Sequence, residues 1–79
     1  SRVTAVDGMR AVSTTGEELG KVSTFYELPQ GLVLDIQTKR GSVLVPYRPE
    51  VIIRTDLADR TIVINDKLGF MDDFSASAK

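Results

Sequence analysis

The chain has 79 residues, with 10 Lys plus Arg against 11 Asp plus Glu, a net charge of -1, 42% hydrophobic residues, and neither cysteine nor histidine. Such a length holds one hydrophobic core, and the balanced charge is far from the strongly basic character of a stand-alone nucleic-acid binder. Without Cys and His there are no disulfides, thiol nucleophiles, imidazole bases or usual zinc sites.

Short β-rich runs separated by turn residues recur roughly every 8 to 12 residues, the pattern of a small barrel. The first predicted strand covers Met9 to Ser13 and is closed by Thr14, Thr15 and Gly16. The second covers Leu19 to Leu28 and contains Gly20, where a bulge or a close backbone approach lets a small barrel bend. After Pro29-Gln30-Gly31, Leu32, Leu34 and Ile36 alternate with Val33, Asp35 and Gln37, so period two assigns the first three to the core. Thr38 to Gly41 is a turn, and Ser42 to Val45 follows with Leu44 facing away from Val43 and Val45. Pro46 lacks an amide hydrogen and ends that ladder, and two prolines stiffen the connection Tyr47-Arg48-Pro49-Glu50. The fifth strand, Val51 to Thr55, and the sixth, Thr61 to Asn65, flank a turn whose leading Asp56 can hydrogen-bond the backbone. Ile62 and Ile64 share one face, with Thr61, Val63 and Asn65 on the other.

The longest apolar runs, Val43 to Pro46 and Val51 to Ile53, are far shorter than the roughly 20 residues that span a bilayer. A disulfide-free domain held by packing alone fits the cytoplasm, which is the expected location.

Catalytic chemistry finds no footing. Ser13, Ser23 and Ser42 have no base to activate them. The carboxylate pairs Glu17-Glu18, Asp56 with Asp59, and Asp72-Asp73 fall in turns or in the tail, where solvated acidic residues are ordinary. The glycines do not form a phosphate loop between a strand and a helix. Lys39-Arg40, the adjacent basic pair, sits at a hairpin tip, and the aromatics are too scattered for a base-stacking platform. No enzyme, cofactor or metal site is expected. What remains is binding: Tyr47 and Arg48 belong to the residue types most enriched at interface hot spots, and they stand on the proline-stiffened loop. The same Tyr also suits packing over the barrel end beside a solvated Arg.

Taken together, Val6-Asp7-Gly8-Met9-Arg10-Ala11-Val12, Thr15-Gly16-Glu17-Glu18-Leu19-Gly20-Lys21-Val22, Leu32-Val33-Leu34-Asp35-Ile36, Val43-Leu44-Val45-Pro46, and Val51-Ile52-Ile53-Arg54-Thr55-Asp56-Leu57 with Thr61-Ile62-Val63-Ile64 resemble the PRC-barrel family. In detail they are similar to the C-terminal PRC barrel of the RimM-type ribosome maturation factors. The resemblance implies an all-β, six-stranded PRC-type barrel at 8–69, a linker from an N-terminal domain at 1–7, and an irregular, partly disordered tail at 70–79. The tail departs from the family pattern with Phe70-Met71-Asp72-Asp73-Phe74 after Gly69. It further implies a non-enzymatic factor that assists maturation of the head of the small ribosomal subunit and processing of its RNA, and that binds small-subunit ribosomal protein nineteen. Against such a basic partner, the expected contact residues are Tyr47, Arg48 and Glu50 of the rigid loop, with Glu17, Glu18 and Asp35 as complementary charges. The competing expectation from another class is a structural or scaffold PRC barrel of a membrane-associated complex.

Overall fold

Each predicted run becomes a strand: β1 Arg10–Val12, β2 Glu18–Leu28, β3 Gly31–Thr38, β4 Gly41–Pro46, β5 Ile52–Asp56 and β6 Thr61–Ile64, followed by a 3-10 turn at Asp66–Leu68. The computed structural model describes residues 7–68. The tail assigned to 70–79, and the leading segment 1–7 apart from Asp7, lie outside the described residues.

Period two on β3 settles its inner face, since Leu34 and Ile36 have no exposure and Leu32 packs half-buried against them. The β3–β4 hairpin sets Leu34 opposite Val45 and Ile36 opposite Val43, so both strands turn the same apolar face inward. Its turn is fixed by the Thr38 hydroxyl, which donates to the Gly41 carbonyl at 2.9 Å and accepts the Arg40 amide at 3.1 Å. In the β5–β6 hairpin the Asp56 Oδ1 accepts the Asp59 amide at 3.0 Å, as an Asp at the head of a turn is expected to do.

The six strands make one sheet in the order β4-β3-β2-β1-β6-β5, with β1 and β6 parallel and all other pairs antiparallel. β2 is the member that joins the two halves, because its first residues pair with β1 and its remaining length pairs with β3. It bends where extra residues enter the ladder. Ala11 faces Gly20 but Val12 faces Glu18, leaving Leu19 unmatched, and Val22 faces Ile36 while Thr24 faces Asp35, leaving Ser23 unmatched. Both are bulges, which bend a strand and raise its twist. They also reset the facing of side chains, which is why simple alternation along Leu19 to Leu28 does not yield a face. Gly20 permits the bend: a Cβ there would stand 2.2 Å from the Gln37 carbonyl oxygen and 2.9 Å from its carbon, so no other residue fits without moving β3.

The curl brings every strand onto one core of Met9, Ala11, Val22, Leu34, Ile36, Val43, Val45, Val51, Ile52, Ile62 and Ile64. No backbone ladder joins the end strands β4 and β5 among the described residues, so the expected barrel is a curled sheet with a seam. Two features explain the seam: Pro46 has no amide to donate, and the bulge at Ile53 interrupts β5. Tyr47 spans it. Its amide donates to the Leu32 carbonyl at 2.8 Å, extending the β4 edge by one residue, and its hydroxyl meets the Thr55 hydroxyl on β5 at 2.8 Å.

One expectation from alternation needs revision. Thr61, assigned to the polar side of β6, is only 5% exposed. Its burial is tolerated because its hydroxyl accepts Arg10 Nη2 at 3.0 Å and donates to Asp59, which also pairs with Arg10 at 3.5 Å.

Leu34→Ala empties a fully buried site and is expected to cost about 2 to 5 kcal/mol. At about 4 to 8 °C per kcal/mol for a domain of this size, calorimetry should show the melting midpoint fall by roughly 10 °C or more. Leu44→Ala, on a side chain 56% exposed, should stay within about 0.5 kcal/mol of wild type.

Candidate protein-binding surface

The β4–β5 loop is ordered by its own backbone. The Arg48 amide donates to the Pro46 carbonyl at 3.1 Å, and the Arg48 carbonyl accepts the amides of Val51 at 2.9 Å and Ile52 at 2.7 Å. Arg48 Nε and Glu50 Oε2 stand 2.8 Å apart with both side chains more than half exposed. An exposed pair of this kind adds little stability and presents a cation and an anion side by side at the surface. The Glu50 carboxyl is held below its ordinary 4.5, first by a hydrogen bond from its own backbone amide and then, against partial desolvation, by the neighbouring Arg48. The Tyr47 hydroxyl braces the seam while the residue stays 36% exposed. On either side of it lie shallow grooves, one of about 310 Å³ walled by Ile52, Ile53 and Arg54, and one of about 350 Å³ walled by Gln30, Leu32 and Val33.

The six predicted contact residues do not form one cluster. Glu17 and Glu18 lie at the start of β2, whereas Tyr47 packs near Gly31 and Leu32, by the far end of that strand. The β1–β2 turn that presents the two glutamates is built on Ser13, whose buried hydroxyl accepts the amides of Thr15 at 3.2 Å and Glu17 at 3.1 Å. Next to it the Asp66 carboxylate accepts the amide and the hydroxyl of Thr14 at 3.0 and 3.1 Å, tying the 3-10 turn to the β1 end. Those bonds, the Thr14 amide foremost, hold Asp66 below its ordinary 3.8.

Asp35 occupies a different setting. It points away from the core, between Thr24 of β2 and Leu44 of β4, yet only 9% of it is exposed. The Tyr26 hydroxyl donates to its Oδ2 at 3.4 Å and Gln37 Nε2 to its Oδ1 at 3.3 Å. Around it the outer side of β2, β3 and β4 combines polar Thr24, Gln37 and Ser42 with apolar side chains: Tyr26 is 44% and Leu44 56% exposed, and Val33 is half-buried. Sequence reasoning singled out Asp35 but not this surround. Alternation did place Val33 and Leu44 outside, whereas the approach of Tyr26 depends on the bulge at Ser23, which alternation does not reveal.

A family model described as the RimM PRC barrel domain matches residues 4–70. The chain is similar to a ribosome maturation factor RimM of Chloroflexus aurantiacus, 36% identical over 69 residues, which are 85% of this chain and 39% of that protein. It is also similar to a ribosome maturation factor RimM of Bradyrhizobium diazoefficiens, 33% identical over 58 residues, 72% of this chain and 34% of that protein. The chain thus spans well under half the length of these curated relatives. Among solved structures, a protein of Pseudomonas aeruginosa described as a 16S ribosomal RNA processing protein RimM shares the fold, with a TM-score of 0.72 over 80% of this chain and 42% of that one at 18% identity. No helix among the described residues is long and apolar enough to cross a membrane.

Titration followed by carboxyl NMR should place Glu50 below 4.5 and Asp66 below 3.8, and Arg48→Gln should raise the Glu50 midpoint. Because both folded values are depressed, each contribution to stability is fully present above the unfolded value and is lost as pH falls through the folded one.

Proposed function

The chain belongs to the RimM PRC barrel domain family, and from that premise we propose that it is the protein-binding domain of a ribosome maturation factor. It acts without catalysis, in the cytoplasm, assisting assembly of the small-subunit head and processing of ribosomal RNA by holding small-subunit ribosomal protein nineteen. The observation that carries this reading is the family match across residues 4–70, which takes in the whole described sheet. Two features of the surface support it. The loop Tyr47, Arg48 and Glu50 is braced by backbone and seam contacts, so little conformational freedom remains to be lost when a partner docks on it. Glu17, Glu18 and Asp35 supply negative charge suited to a basic partner, which favours a ribosomal protein over RNA as the direct contact.

We further propose that residues 8–69 form the barrel unit, with 1–7 a linker from an N-terminal domain and 70–79 a tail. The relatives are long enough to carry that further domain.

Titration calorimetry of this chain with purified small-subunit ribosomal protein nineteen should give saturable binding at about micromolar affinity, roughly -8 kcal/mol. Bulk ribosomal RNA as a parallel titrant should give no saturable heat. Absence of protein binding, both by this chain and by the full-length factor, would overturn the reading.

A further inference from the structure

A carboxylate buried beside apolar side chains is costly unless a cation meets it, and Asp35, set among Tyr26, Leu44, Thr24 and Gln37, meets none among the described residues. Among the described residues it forms no ion pair; its two hydrogen bonds, from neutral Tyr26 and Gln37, are both long. Lys21, one row away opposite Gln37, does not reach it. Leu44 projects beside the carboxylate with 56% exposure, from a strand whose other face already satisfies the core. A partly desolvated charge flanked by exposed Tyr26 and Leu44 stands where those side chains would exclude water around a docked cation and strengthen the charge contact.

We propose that the outer face of β2, β3 and β4 receives a basic polypeptide segment, one of whose arginine or lysine side chains lies between Tyr26 and Leu44 and pairs with Asp35. The inference rests on the reading of this chain as a protein-binding module and names where on it the partner sits and by what chemistry. Arginine fits better than lysine, because a planar guanidinium can bond the carboxylate in two places while stacking on the Tyr26 ring. Val33, half-buried between its neighbours Tyr26 and Pro46, supplies the adjoining apolar floor. Phosphate is disfavoured by the same carboxylate, so RNA is not the occupant of this face.

The test is amide NMR titration of the 79-residue chain with the peptide acetyl-Ala-Leu-Arg-Leu-Ala-amide, with its uncharged citrulline counterpart, and with a single-stranded RNA oligomer. The arginine peptide should shift the amides of Tyr26, Val33, Asp35 and Leu44. The citrulline peptide and the Asp35→Asn variant should each weaken binding about tenfold, between the effect of an exposed and a buried charge pair. Leu44→Ser, which leaves every charge in place, should weaken it as well, and it reports on the face even if Asp35→Asn disturbs folding. Equal binding of the arginine and citrulline peptides, shifts gathered at Glu17 and Glu18 instead, or the same shifts on adding RNA would each overturn the proposal. Because the peptide is not the ribosomal protein, failure of that protein to bind leaves this result standing, and failure here leaves the calorimetric one standing.

Discussion

The bend of β2 is the constraint on which the rest of the molecule depends. One strand must pair with β1 at its start and with β3 along its remaining length, and both halves of the sheet must face the same core. A flat sheet of six strands would leave its apolar face in water, and at this chain length no helix or second sheet is present among the described residues to cover it. Two bulges and one glycine provide the curvature. Gly20 lies close enough to the Gln37 backbone that a methyl group would overlap it, so the approach of β2 to β3 is set by the smallest side chain available.

Curling the sheet has a consequence at its two ends. β4 and β5 come round to the same core without pairing, and the gap is bridged by a side chain. Tyr47 therefore links stability with presentation: the contacts that brace the seam also hold Arg48 and Glu50 in place on the surface. A surface made in this way needs little rearrangement to meet a partner, which suits the proposed protein-binding role. The bulge at Ser23 adds a second functional feature, since the change of phase it introduces lets Tyr26 share the outer face with Asp35.

Much of the fold was legible because β3 and β4 pair in a regular ladder and obey period two without interruption. Leu34, Ile36, Val43 and Val45 are inside and Leu44 is outside, as alternation assigns them. Legibility fails where geometry departs from a regular ladder. The bulges at Leu19 and Ser23 scramble the facing of β2, and the burial of Thr61 is tolerated because Arg10, remote in sequence, and Asp59, two residues back, satisfy its hydroxyl. The candidate contacts were legible as residue types and much less as an arrangement. Tyr47 and Arg48 stood out by chemistry and by the flanking prolines, but the partner of the Tyr47 hydroxyl lies across a seam that no local pattern announces. Asp35 stood out as a charge, while its burial follows from Tyr26 and Leu44 on two neighbouring strands.

The proposed role is that a preformed outer surface of this domain holds a ribosomal protein. Its most direct test is to map, on the isotopically labelled chain, which resonances respond to small-subunit ribosomal protein nineteen. The account predicts perturbation of Tyr26, Asp35, Leu44 and the loop from Tyr47 to Glu50, with the core methyls of Leu34 and Ile36 unmoved. Perturbation confined to Lys21, Lys39 and Arg40, or a global change that includes the core methyls, would contradict it.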